Sequence, residues 1–89
     1  MRAVVTVIGR DMVGILAKVS ALCAGANANI LEVTQTVLQE LFAMIMLVDI
    51  ERLGCDYAEF QATLQKAGDE IGLSVSVMHE DIFNSMHRI

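Results

Sequence analysis

The chain switches between two hydrophobic periods, and the switches predict its elements. Arg2 to Ile8 (RAVVTVI) is a short β-branched run bounded by Gly9 and apolar on both faces, which predicts a strand in the middle of a sheet. Met12, Leu16, Val19, Cys23 and Ala26 then recur as one stripe of a helix. Asp11 is placed to cap that helix, and Gly25-Ala26-Asn27-Ala28-Asn29, rich in residues that tolerate left-handed backbone, to close it. From Ile30 to Leu38 the period becomes two: Leu31, Val33 and Val37 alternate with Glu32, Thr34 and Thr36, the pattern of a half-buried, edge-like strand. Gln39-Glu40 makes a tight connection to Leu41 to Ile50, nearly all apolar, which predicts a second central strand. Asp56 and Glu59 open a second helix whose stripe is Phe60, Leu64, Ala67 and Ile71, and Gly72 ends it. Leu73, Val75 and Val77 alternate with Ser74 and Ser76 as a fourth strand. Ile82, Phe83, Met86 and Ile89 then fall on one side of a short helical tail that Asp81 is placed to cap.

The order is βαββαβ. With right-handed crossovers it closes into an α+β, ferredoxin-like sandwich: a four-stranded antiparallel sheet, both helices on one face, strands one and three in the middle. At 89 residues the chain fits one domain, 1–89, with no linker composition and no proline. The sheet face away from the helices is expected to expose valines, methionines and leucines of the central strands, Met44 and Met46 among them. Soluble monomers rarely leave such a patch bare, so self-association is expected, through this face or by edge-strand pairing.

Composition narrows the function. Hydrophobic residues make up 55% of the chain and the net charge is −5, with the six bases far apart in sequence. A phosphate backbone needs clustered Lys and Arg, and RNA-reading sheets add adjacent aromatics, so nucleic acid is not an expected partner. No window has the roughly 20 apolar residues that cross a bilayer, and no signal-peptide pattern opens the chain; a cytoplasmic protein without a membrane partner is expected. Cys23 and Cys55 belong to no CxxC or Cys/His array and read as reduced thiols.

No catalytic constellation stands out, and no cofactor motif is present. The informative stretch is Gly9-Arg10-Asp11-Met12-Val13-Gly14-Ile15, where a central strand enters a helix and leaves backbone N–H groups free at a helix end. Gly14 either bares those amides to a ligand carboxylate or permits close packing of helix on strand; both readings stand on the sequence. Asp11 is a cap by default and a partner for a ligand ammonium otherwise. Asn29 opens strand two with an amide side chain, or is only a turn residue. In the tail, His79, Glu80, Asp81 and His87 are metal-capable types, but their spacing matches no ligand pattern and no metal site is expected.

The run GRDMVGIL after a first strand, followed by NILEVTQ opening the second, resembles the ACT domain, and the resemblance covers essentially the whole chain. It is similar to stand-alone members and to the ACT segments of glycine-cleavage regulators and formyltetrahydrofolate deformylases; the ending HEDIFNSMHRI resembles the stand-alone group. The resemblance implies a regulatory, non-catalytic module that pairs, often side by side into an eight-stranded sheet. It further implies that an amino acid is held between the first loop of one subunit and strand two of the other. Carried onto this chain, the lining would be Asp11, Met12, Val13, Gly14 and Ile15 from one copy with Asn29 and Ile30 from its partner.

Three functions compete. The first is a ligand-sensing homodimer that binds an amino acid or similar metabolite and regulates an enzyme or regulator by a few kcal/mol of coupling. The second is a ligand-free interaction module that docks a metabolic enzyme, for which a charge at Met44 or Met46 would abolish partner binding. The third is a small phosphatase with Arg10 and Asn29 around one phosphate, a reading that Asp11, beside Arg10, opposes by repulsion.

Overall fold

A computed structural model of the protein describes residues 1–10 and 13–86. Its elements are β1 (Arg2–Arg10), α1 (Ile15–Gly25), β2 (Asn29–Leu38), β3 (Leu41–Asp49), α2 (Tyr57–Glu70), β4 (Ser74–His79) and α3 (Glu80–Met86). The four strands form one antiparallel sheet in the order β2-β3-β1-β4, so the two doubly apolar strands are the central ones. The βαββαβ sandwich expected from the sequence is therefore the fold.

Side chains opposite each other across an antiparallel ladder share a face, so the register sorts the sheet. Ala3, Val5 and Val7 of β1, with Phe42, Met44, Met46 and Val48 of β3, face the helices and join Ile15, Val19, Cys23, Phe60 and Leu64 in the core. Met44 and Met46 are 0% exposed. The expectation that they lie on the open face is thus corrected: it is Ile45, Leu47 and Leu41 of β3 that project there, beside Val4, Thr6 and Ile8 of β1. Both residue sets are apolar, so alternation alone gives no sign of which one faces in.

Helix boundaries follow the backbone. α1 starts at Ile15 with Gly14 at its N-cap; Asp11, read as the cap, and Met12 lie outside the described residues. The late start moves the buried stripe to Ile15, Val19 and Cys23. Asn27, at φ +63, turns the chain after α1, and Gly72, at φ +77, does so after α2, as their tolerance of left-handed backbone allows. Asp56 occupies the α2 N-cap without a capping side-chain hydrogen bond. Gly68 lets α2 settle on β4: a Cβ there would run into the Val75 side chain and reach 3.0 Å from the Leu73 carbonyl oxygen.

The tail does not behave as one apolar side. α3 begins at Glu80, which puts Asp81 inside its first turn rather than at its cap. The helix folds over the open sheet face at the end where β1 begins. Glu80, Phe83 and Asn84, with Val4, Glu32, Ile45 and Leu47, line a hollow of about 210 Å³ there. Under this cover Val4 is 4% exposed, whereas Ile8, two pleats along the same face, is 43% exposed. Ile82 and Met86 point away from the sheet and are exposed; Ile89 lies outside the described residues.

Candidate functional site

The loop from β1 to α1 starts at Arg10, whose exposed guanidinium lies 3.6 Å from the Glu40 carboxylate at the tip of the β2–β3 hairpin. It ends at Gly14, held in left-handed backbone at φ +87. A Cβ on Gly14 would meet nothing within 4 Å among the described residues. Among the described residues, close packing is therefore not why glycine stands there: the backbone angle requires it. The first bond of α1 runs from Lys18 N–H to the Gly14 carbonyl at 2.9 Å, which leaves the amides of Ile15, Leu16 and Ala17 without helical acceptors. Among the described residues no side chain caps them, and the first turn carries no acid to occupy their positive end.

Of the residues read from the sequence, Val13 and Gly14 are exposed at this loop. Ile15 is buried, with its side chain in the core. Asp11 and Met12 lie outside the described residues. Asn29 pairs with Asp49, itself opposite Arg2 at the start of β1, while the Gly14 loop leaves the other end of that strand after Arg10. The eight steps between the nine residues of β1, at about 3.3 Å each, set the two halves of the expected site roughly 26 Å apart within one chain. For the same reason Arg10 and Asn29 do not surround one phosphate in a single chain.

Around Asn29 the structure assembles polar groups that spacing did not reveal. Asn27, Asn29, Asp49, Glu51 and Arg52 line a cleft of about 390 Å³. Asn27 Nδ2 donates to the Arg52 carbonyl at 2.7 Å, and Glu51 N–H donates to Asp49 Oδ1 at 2.9 Å, so the two loops are tied to each other and the carboxylate is held in place. The cleft offers two carboxylates, a guanidinium and amides, donors and acceptors for both ends of a zwitterion. The signal for it is the β2–β3 register, which requires the bulge between Ile30 and Glu32.

The remaining chemical groups are occupied or screened. His79 Nδ1 accepts the Asp81 N–H at 3.3 Å and lies 3.6 Å from the Asp81 carboxylate. No three His, Cys, Asp or Glu side chains converge for a metal among the described residues; His87 lies outside them. Burial pushes the Cys23 thiol up to about 11, since the thiolate has no water or counter-charge to stabilise it. No described helix is long and apolar enough to cross a membrane.

Strand β2 bonds only to β3, so its outer edge of N–H and C=O groups is unpaired among the described residues, and residues 31–38 are exposed. Val33 and Val37 turn toward the helix side of the sheet, yet the helix layer stops short of them.

Comparison with known proteins places the fold. A family model described as ACT domain matches residues 2–78. A UPF0237 protein of Methanocaldococcus jannaschii is 54% identical over 88 residues, covering 99% of this chain and 98% of that protein. An ACT domain protein from Streptococcus pneumoniae superposes with a TM-score of 0.81 at 31% identity, over 93% of each chain. A formyltetrahydrofolate deformylase from Pseudomonas syringae matches with a TM-score of 0.78 at 25% identity, over 88% of this chain and 27% of its own. A putative glycine cleavage system transcriptional repressor shares the fold with a TM-score of 0.76 at 23% identity, over 89% of this chain and 47% of its own.

Proposed function

We propose that this chain, which belongs to the ACT domain family, is a cytoplasmic, non-catalytic sensor that binds an amino acid or similar small metabolite at a homodimer interface. The observation that carries this reading is the pairing of helix-start amides left uncapped behind a left-handed Gly14 with a polar cleft at Asn29 that one chain holds too far away to use.

A second copy removes the separation. Two β2 strands paired antiparallel about a two-fold axis at Thr34, which keeps like faces together, bring the Asn29–Ile30 end of one copy beside Leu38 of the partner subunit. Leu38 pairs with Leu41, which pairs with Arg10, so this is the end of the sheet from which the Gly14 loop departs. The pairing also satisfies the bare β2 edge and covers Val33 and Val37. A ligand carboxylate would then take the free amides of α1, with its ammonium toward Asp49 of the neighbouring copy and its side chain against Val13 and Ile30. Ordering both copies around one ligand is the coupling by which such a module regulates a partner.

A thermal-shift screen against the twenty amino acids at millimolar concentration tests the reading. A ligand at ten times its Kd adds about 1.4 kcal/mol, several degrees for a domain of this size. Stabilisation by one chemical class of amino acid is the expected result; no shift with any of the twenty overturns the sensor.

A further inference from the structure

The open face of the sheet is uneven in a way that matches itself. Its middle row runs Ser76, Thr6, Ile45, Thr34 across the four strands. On one side of that row α3 stands up as a ridge, with exposed Ile82 and Met86 along its crest. On the other side the next row is Ser74, Ile8, Ala43 and Thr36, three small side chains flanking one exposed isoleucine, which makes a shallow trough. Exposed Leu41 and Leu38 close its far end.

We propose that this face is an isologous contact surface for a second copy of the chain, with the α3 ridge of each copy lying in the trough of the other. The operator is a two-fold axis in the interface plane, running across the strands along the middle row. It sets Ile82 and Met86 against Ile8, Ala43 and Leu41 of the partner subunit, and the reverse.

Charge follows the same symmetry. The ridge end carries Asp81 and Glu32, both exposed, and the trough end carries Arg10, held to Glu40 only by a 3.6 Å exposed contact. The rotation brings Arg10 toward the partner's Asp81. Area favours the face as well. The chain is a slab of 36 × 34 × 19 Å, whose broad side covers roughly 1,000 Å², enough for the about 800 Å² per partner that a specific interface takes.

The two axes also meet. The face axis passes through Thr34, and the β2 edge axis also lies at Thr34, perpendicular to it. Crossed perpendicular two-folds close a tetramer of 222 symmetry instead of an open fibre. Closure rests on the edge pairing proposed above; the face contact does not.

Mass measurement by light scattering on the purified chain tests this, with variants that separate the two contacts. Wild type is expected to be a tetramer. Ile82→Asp with Met86→Asp, both on an exposed crest, is expected to halve the mass while circular dichroism stays that of wild type. Arg10→Asp is expected to weaken the same contact, and Arg10→Asp with Asp81→Arg to restore it. Val33→Lys with Val37→Lys, on the edge, reads the other contact. A wild-type dimer that falls to monomer with the crest variant and not with the edge variant keeps the face contact and removes the edge pairing. A crest variant of unchanged mass, or a monomeric wild type, overturns the proposal.

Discussion

Arg2 on the first strand and Glu80 on the last helix form a two-point ion pair: Nε donates to Oε1 at 3.0 Å, and a terminal guanidinium nitrogen lies 2.6 Å from Oε2. The pair fixes where the tail crosses the sheet, and it accounts for Val4 being buried on a face that is otherwise open. α3 lies beyond Met78, where the family match ends.

Removing the pair should loosen the helix without unfolding the domain. The Arg2 side chain is 48% exposed, so the pair contributes no more than about 1 kcal/mol. In Glu80→Gln, amide exchange across 80–86 is expected to accelerate while the amides of Val5 and Val7 keep their protection. A global loss above about 2 kcal/mol would show that the pair does more than position α3.

Two glycines make opposite demands. Gly68→Ala forces a methyl group against Val75 and the Leu73 carbonyl, an overpacked contact that costs about 1–3 kcal/mol. Gly14→Ala meets no atom and pays only for left-handed backbone, about 1 kcal/mol. Urea titration is expected to rank Gly68→Ala as the more damaging. Gly14→Asn, whose residue type tolerates the angle, should fall between Gly14→Ala and wild type.

That difference marks what the residues disclosed and what they withheld. Apolar runs on both faces were enough to put β1 and β3 in the centre, and Gly72 and Asn27 were enough to end the helices. Gly14 was recognisable as a glycine with a purpose, but its angle depends on how β1 hands over to α1, and two readings stayed open until space around it was known. The Asn29–Asp49 cleft depends on strand register, and the bulge at Leu31 interrupts the period from which register would be inferred. Phe83 parted from Ile82 and Met86 because the ion pair of Glu80 with Arg2 orients α3, a contact between the two ends of the chain.

The thiols should differ in reactivity and leave a signature in the pH dependence of stability. Cys23 is fully buried with its pKa raised from 9.0 to about 11, so in native protein a thiol reagent is expected to label Cys55 and spare Cys23. In the unfolded chain Cys23 loses its proton near pH 9, whereas the folded chain retains it, so the unfolded state binds fewer protons above that pH. Stability is therefore intact below pH 9 and falls toward pH 11, by up to about 1.4 kcal/mol per unit. Cys23→Ala should flatten that slope; a slope unchanged in the variant would assign it to other groups.

The alternation along β3 gives the sharpest contrast between neighbours. Met44 is 0% exposed and faces the helices; Ile45, the next residue, is 43% exposed on the open face, near the Glu32 carboxylate. Met44→Lys buries an ammonium that has no acid to meet, a cost of several kcal/mol against a total stability of about 5–15 kcal/mol, so the variant is expected to lose its cooperative thermal transition. A charge at Met44 thus probes folding and cannot report on a docking partner. Ile45→Lys leaves its charge in water beside Glu32 and is expected to keep a transition within a few degrees of wild type. If instead Ile45→Lys unfolded the chain and Met44→Lys did not, the strand would be paired one residue out of register, and the two faces of the sheet would have to be exchanged.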